Sequence, residues 1–90
     1  MKTSEAIREV MKAKEIGVNQ MADRLGKSPR LVSERLSQEN ISIAKLQEML
    51  RVLDYKIAII PRDTRLPKDG YVIGESEKIS PAELEALLND

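Results

Sequence analysis

The stretch GVNQMADRLGKSPRLVSERLSQ, residues 17–38, sets two short apolar patterns around a single glycine. The chain has only four glycines, and one of them, Gly26, is followed almost at once by Ser28-Pro29. Glycine enters the left-handed conformation without steric cost and so ends a helix cleanly. Serine before proline starts one: its side chain accepts a free N–H, and proline's preset φ suits the first helical position. A helix end and a helix start within three residues force a sharp turn between two helices. Ala22 is small where the helices cross one turn before the glycine, and Val32, six residues after it, plugs the gap. Ala22, Gly26 and Val32 are thus read as one steric device that holds two helices at a steep angle.

The flanking sequence supplies more helices. Thr3 or Ser4 can cap a first one, whose apolar stripe is Ala6, Ile7, Val10, Met11 and Ala13, ending near Gly17. Met21, Ala22 and Leu25 line the second helix; Leu31, Val32 and Leu36 line the third. Gln38-Glu39-Asn40 loosens the chain. Ser42 then caps a fourth, with Ile43, Leu46, Met49, Leu50 and Leu53 as its stripe. Short loops force these four helices together. Tyr55 and Tyr71 are the only aromatics, so the core is built from Leu, Ile, Val, Met and Ala. A 90-residue chain buries only about 60% of its unfolded surface, so self-association would add needed stability.

Beyond residue 54 the pattern changes. YKIAIIP (55–61) is rich in β-branched residues and alternates Tyr55, Ile57 and Ile59 against Lys56, Ala58 and Ile60, which predicts a strand ending at Pro61. A turn at Lys68-Asp69-Gly70 leads to a second short strand, YVIG (71–74). The two can form a hairpin within the chain. Two strands alone are barely stable and leave an apolar edge open, so pairing with the same strand of a second copy is the favoured reading. ISPAELEALL (79–88) predicts a short C-terminal helix: Ser80 caps it, Pro81 follows, Glu83 closes a capping box, and Ile79 staples onto Leu84. The expected organisation is a helical domain over 1–54, a dimerising β segment over 55–78, and an acidic helix over 79–90.

The spacing of Ala22, Gly26 and Val32, with Ser28-Pro29 after the glycine, resembles the helix-turn-helix of the Cro-type repressor family, the XRE regulators. The likeness runs through residues 4–54, with the motif at 18–37 and SIAKLQEMLRVLDY in place of the family's fourth helix and terminal turn. It implies a mainly α fold: a compact four-helix, lambda-repressor-like bundle, here followed by the β appendage and short C-terminal helix. It also implies that the third helix enters the DNA major groove by its N-terminal end. On that helix Ser28, Arg30, Ser33 and Glu34 are then the base-reading side chains. Arg30 grips a guanine with both arms, and Glu34 accepts from cytosine or orients Arg30. Lys27, Arg35, Gln38 and Asn40 are expected at phosphates. Gly17-Val18 stands where the family often has Thr-Gln, so Asn19 or Gln20, at a helix N-terminus, takes over the phosphate contact. A second departure is Arg35, which occupies an apolar position of the family. Tyr55, Ile57 and Ile59 are the expected dimer contacts.

Charge agrees with this polarity. Residues 1–35 carry eight Lys/Arg against five acids, whereas residues 61–90 carry four against seven, although the whole chain is neutral. A basic front half fits a polyanion. Other classes find little support. With no His or Cys, no phosphate-cradling glycine loop and no ligand cluster, neither an enzyme, a metal site nor a cofactor is expected. The lack of cysteine fits a reducing cytoplasm. No apolar run nears the roughly 18 residues of a membrane span, and Met1-Lys2 opens no signal peptide, so no membrane partner is expected. The expectation is a cytoplasmic regulator of bacterial or mobile-element transcription, most simply a repressor. It would bind double-stranded DNA at a palindromic operator as a homodimer. The competing expectation is a protein-interaction module on the same fold, such as an antitoxin or inhibitor that engages a protein partner through residues 55–90.

Overall fold

A computed structural model describes residues 1–74 and Leu88. Its helices are α1 (Thr3–Ala13), α2 (Val18–Leu25), α3 (Pro29–Ser37) and α4 (Ile43–Arg51). The described part is mainly helical. α2 packs on α3, and α1 packs on both α3 and α4. Ile7, Val10, Met21, Val32, Leu46, Met49 and Leu53 are its large, fully buried side chains. No helix among the described residues is long and apolar enough to cross a membrane.

The turn between α2 and α3 follows its residues. Gly26 has φ 66° and ψ 32°, and the Lys27 N–H donates back to the Ala22 carbonyl at 3.0 Å. Ser28 Oγ accepts from the Leu31 N–H at 3.2 Å, and Pro29 opens α3. A side chain at Gly26 would meet no heavy atom within 4 Å, so the glycine answers to backbone strain and not to crowding. Gly26→Val is therefore expected to lower stability by about 1–3 kcal/mol in a thermal or urea melt, because β-branched residues resist positive φ. Gly26→Asn should cost clearly less. Melts of both variants that match the parent would contradict this account of the turn.

Two helix ends without glycine, those of α1 and α4, also close through a left-handed residue. Glu15 (φ 56°) lets the Ile16 N–H reach the Met11 carbonyl at 2.9 Å. Asp54 (φ 62°) does the same for the Tyr55 N–H and the Leu50 carbonyl, also 2.9 Å. Arginines satisfy further end carbonyls: Arg8 Nη2 donates to Leu36 at 3.0 Å, and Arg24 Nη1 to Val52 at 3.1 Å.

Three expectations need correction. Neither Thr3 nor Ser4 caps α1 as its preceding residue; the helix begins at Thr3, and both side chains are buried. Thr3 Oγ1 accepts from the Ile41 N–H at 2.9 Å, and Ser4 Oγ donates to the Glu39 carbonyl at 3.1 Å. The start of α1 is thereby tied to the connection between α3 and α4. Ile43 does not join the core: it is 66% exposed, and Ile41, drawn in by Thr3, fills the buried place ahead of α4.

The third correction concerns the β appendage. Neither 55–60 nor 71–74 is a strand, and the described residues contain none. Among the described residues neither segment lies along a partner strand, and alternation alone cannot hold a strand. Instead the segment leaves α4 and returns to its base. The Tyr55 and Tyr71 rings lie 6.4 Å apart, and the Tyr55 hydroxyl donates to the Asp69 carbonyl at 3.0 Å. The Gly74 N–H donates to the Met1 carbonyl at 2.7 Å. Tyr55 is half-buried against the core, with Lys14 Nζ 5.5 Å from its ring centre, so it is not in line with Ile57 and Ile59 as a dimer contact. Burial raises its phenol pKa. The helix start expected at Ser80 and Pro81 lies outside the described residues.

Candidate nucleic-acid interface

α3 presents two unlike faces. Val32, Arg35 and Leu36 are buried, and Leu31 is half-buried. Arg30, Ser33, Glu34 and Ser37 are exposed. Arg30 projects with 89% of its side chain in solvent, and its Nε lies 3.3 Å from Glu34 Oε1 one turn further on. An exposed pair of this kind contributes little to stability and holds neither partner tightly. What it does is bias the guanidinium along the outer surface of the first turn. Ser33 lies on the same exposed face, while the Ser37 hydroxyl donates to the Glu34 carbonyl at 2.7 Å.

The remaining site residues separate into free and occupied. Lys27 is exposed just ahead of the α3 cap. Asn19 and Gln20 are exposed in the first turn of α2. Gln20 Oε1 accepts the Gly17 N–H at 3.1 Å, which leaves its NH₂ to donate outward. Gln38 is exposed at the end of α3. Ser28 has one role already, as the cap of α3. Asn40 accepts the Thr3 N–H at 3.2 Å on Oδ1, so its carbonyl serves α1.

Arg35 is the residue misplaced by sequence reasoning. It points inward, only 9% exposed, and its Nη1 donates to Glu48 Oε1 on α4 at 2.8 Å. The heptad-like place one turn beyond Leu31 faces α4, so an arginine there needs an internal acceptor in place of a phosphate. Glu48 was missed altogether. Its signal in the sequence is a charged residue in an apolar slot, which demands an opposite charge on the facing helix.

The hydrogen bond from Arg35, with help from the charges of Arg35 and Lys27, holds the Glu48 carboxyl below the usual glutamate range. The folded protein thus keeps this carboxylate ionised where the unfolded chain has begun to bind a proton. Its contribution is complete above about pH 4.3, the ordinary glutamate value, and is lost as pH falls through the lowered folded value. Glu48→Gln should flatten the fall of melting temperature between neutral pH and pH 3 and, by stranding the buried Arg35 charge, lower stability at pH 7. Arg35→Leu should cost little at pH 7, because the Glu48 side chain it leaves is 44% exposed and stays hydrated. An unchanged acid limb in Glu48→Gln would contradict the pairing.

Among the described residues no group of three or more metal-binding side chains gathers. An open hollow on α4 is lined by Ala44, Gln47, Glu48 and Arg51. Comparison with family models, with curated proteins and with solved structures finds no match.

Proposed function

We propose that the protein is a sequence-specific DNA-binding regulator of the XRE type, a repressor that occupies a palindromic operator as a homodimer in the cytoplasm. In this reading α2, Gly26 and α3 form the helix-turn-helix of a lambda-repressor-like bundle, and α3 lies in the major groove. The observation that carries it is the outer face of α3. Arg30, Ser33 and Glu34 stand in solvent on a helix whose inner face is fully engaged, and whose start is set by a rigid turn. Arg30 reads a guanine through O6 and N7; Glu34 accepts from a cytosine amino group or steers Arg30. Lys27, Asn19, Gln20 and Gln38 contact phosphates, where they fix register without reading sequence. Ile57 and Ile59 form the dimer contact, bringing two α3 helices to successive turns of the duplex. The protein acts by binding, without catalysis.

A second reading has its own support. Ile59 is wholly exposed and Ile57, Ile60, Val72 and Ile73 are more than a third exposed, all in the segment that follows α4. That surface also suits a different protein, as in an antitoxin or inhibitor built on the same helices. Selecting duplexes from a random pool with the purified protein separates the two. The DNA reading expects enrichment of an inverted repeat with half-sites about one helical turn apart. A pool that stays random would overturn it in favour of the protein partner.

A further inference from the structure

The apolar surface beyond α4 has no cover among the described residues. Its base is closed by Tyr55, Tyr71 and the Asp69 carbonyl, so Ile57, Ile59 and Ile60 cannot fold back onto the core without undoing those contacts. Cations flank these isoleucines: Lys56, Arg62, Arg65 and Lys68, against Asp63 as the one acid between 56 and 68. The complement of such a surface is an apolar segment that carries acids. Residues 79–90 of this chain have that chemistry. They combine Ile79, Leu84, Leu87 and Leu88 with Glu83, Glu85 and Asp90, and contain no Lys or Arg. Leu88, the one described residue of this stretch, is 76% exposed.

A bare apolar surface and a segment of complementary chemistry on the same chain are satisfied together when two copies meet about a two-fold axis, each giving what the other lacks. We infer that residues 79–90 of a second copy dock over Ile57, Ile59 and Ile60, and that the exchange is reciprocal. The inference rests on the homodimer reading above and adds the element that completes the seam. The acidic C-terminal segment would cover the isoleucines that residues 55–60 leave bare. The acids then lie among Lys56, Arg62, Arg65 and Lys68, which fixes the orientation of the docked segment.

Sedimentation equilibrium on three chains tests this: the parent, a chain ending at Lys78, and Ile57→Lys/Ile59→Lys. Truncation leaves α1–α4 intact, since no described contact of the helical core uses residues beyond Gly74. The truncated chain should dimerise at least about tenfold more weakly than the parent, the scale of losing one well-buried leucine. Full-length Glu83→Lys/Glu85→Lys should also weaken, and by more at low salt than at high salt. A truncated chain that dimerises as well as the parent, or better, overturns the docking. If Ile57→Lys/Ile59→Lys is monomeric in that case, the homodimer reading itself stands. A monomeric parent overturns both.

Discussion

Ile57→Lys/Ile59→Lys should turn a dimer into a monomer at tens of micromolar, with the helical core unchanged. Ile59 is wholly exposed and Ile57 is 37% exposed, so neither supports α1–α4 and neither substitution should disturb helix content in circular dichroism. In the proposed seam both side chains are buried against the second copy. An ammonium group placed there without a partner costs several kcal/mol per dimer, about a thousandfold or more in the dissociation constant. Lys56 already adds a like charge beside the seam, so two further lysines also repel. Light scattering on parent and variant reads the effect directly. A variant that remains dimeric would remove residues 57–59 from the interface, and with them the geometry that presents two α3 helices to one operator.

How far the sequence led depended on the range of the interactions involved. Gly26, Ser28 and Ser42 announce their roles because a positive φ and a cap are decided within three or four residues, and the structure has all three as read. The buried faces of α1 and α4 follow from helical period with two exceptions: Ala13 is exposed in the last turn of α1, and Ile43 is exposed because a first-turn residue yields to whatever precedes the helix. The left-handed Glu15 and Asp54 were invisible: neither residue type favours that conformation enough to mark it, and the surrounding helix ends impose it. Arg35 looked like a surface cation because its partner, Glu48, is thirteen residues away on another helix. The bond from the Thr3 N–H to Asn40 Oδ1 was hidden for a similar reason, since it serves the start of α1 across the fold. The alternation in YKIAIIP describes a chain suited to a pleated, half-buried surface, but a strand also needs a neighbour, and the described residues pair none with it. Arg30, Ser33, Glu34 and Lys27 were legible as an exposed set, because the buried positions of α3 leave them no other face.

The DNA-reading role of that face is the central claim, and one titration bears on it most directly. Arg30, Lys27 and parent proteins would be compared on the selected operator and on a scrambled duplex of equal length, at several salt concentrations, with Arg30 and Lys27 each replaced by Ala. Arg30 stands 89% exposed in the first turn of α3, free to leave Glu34 for a guanine, whereas Lys27 precedes the cap, where the proposed docking would bring a cation to a phosphate. Arg30→Ala should weaken operator binding by about 1–3 kcal/mol and barely affect the scrambled duplex, so the preference between them collapses. Lys27→Ala should weaken both alike, keep the preference, and flatten the slope of log K against log salt by about 0.9. That division is what a base-reading arginine beside a phosphate-bound lysine requires. An operator preference that survives in Arg30→Ala would contradict the account.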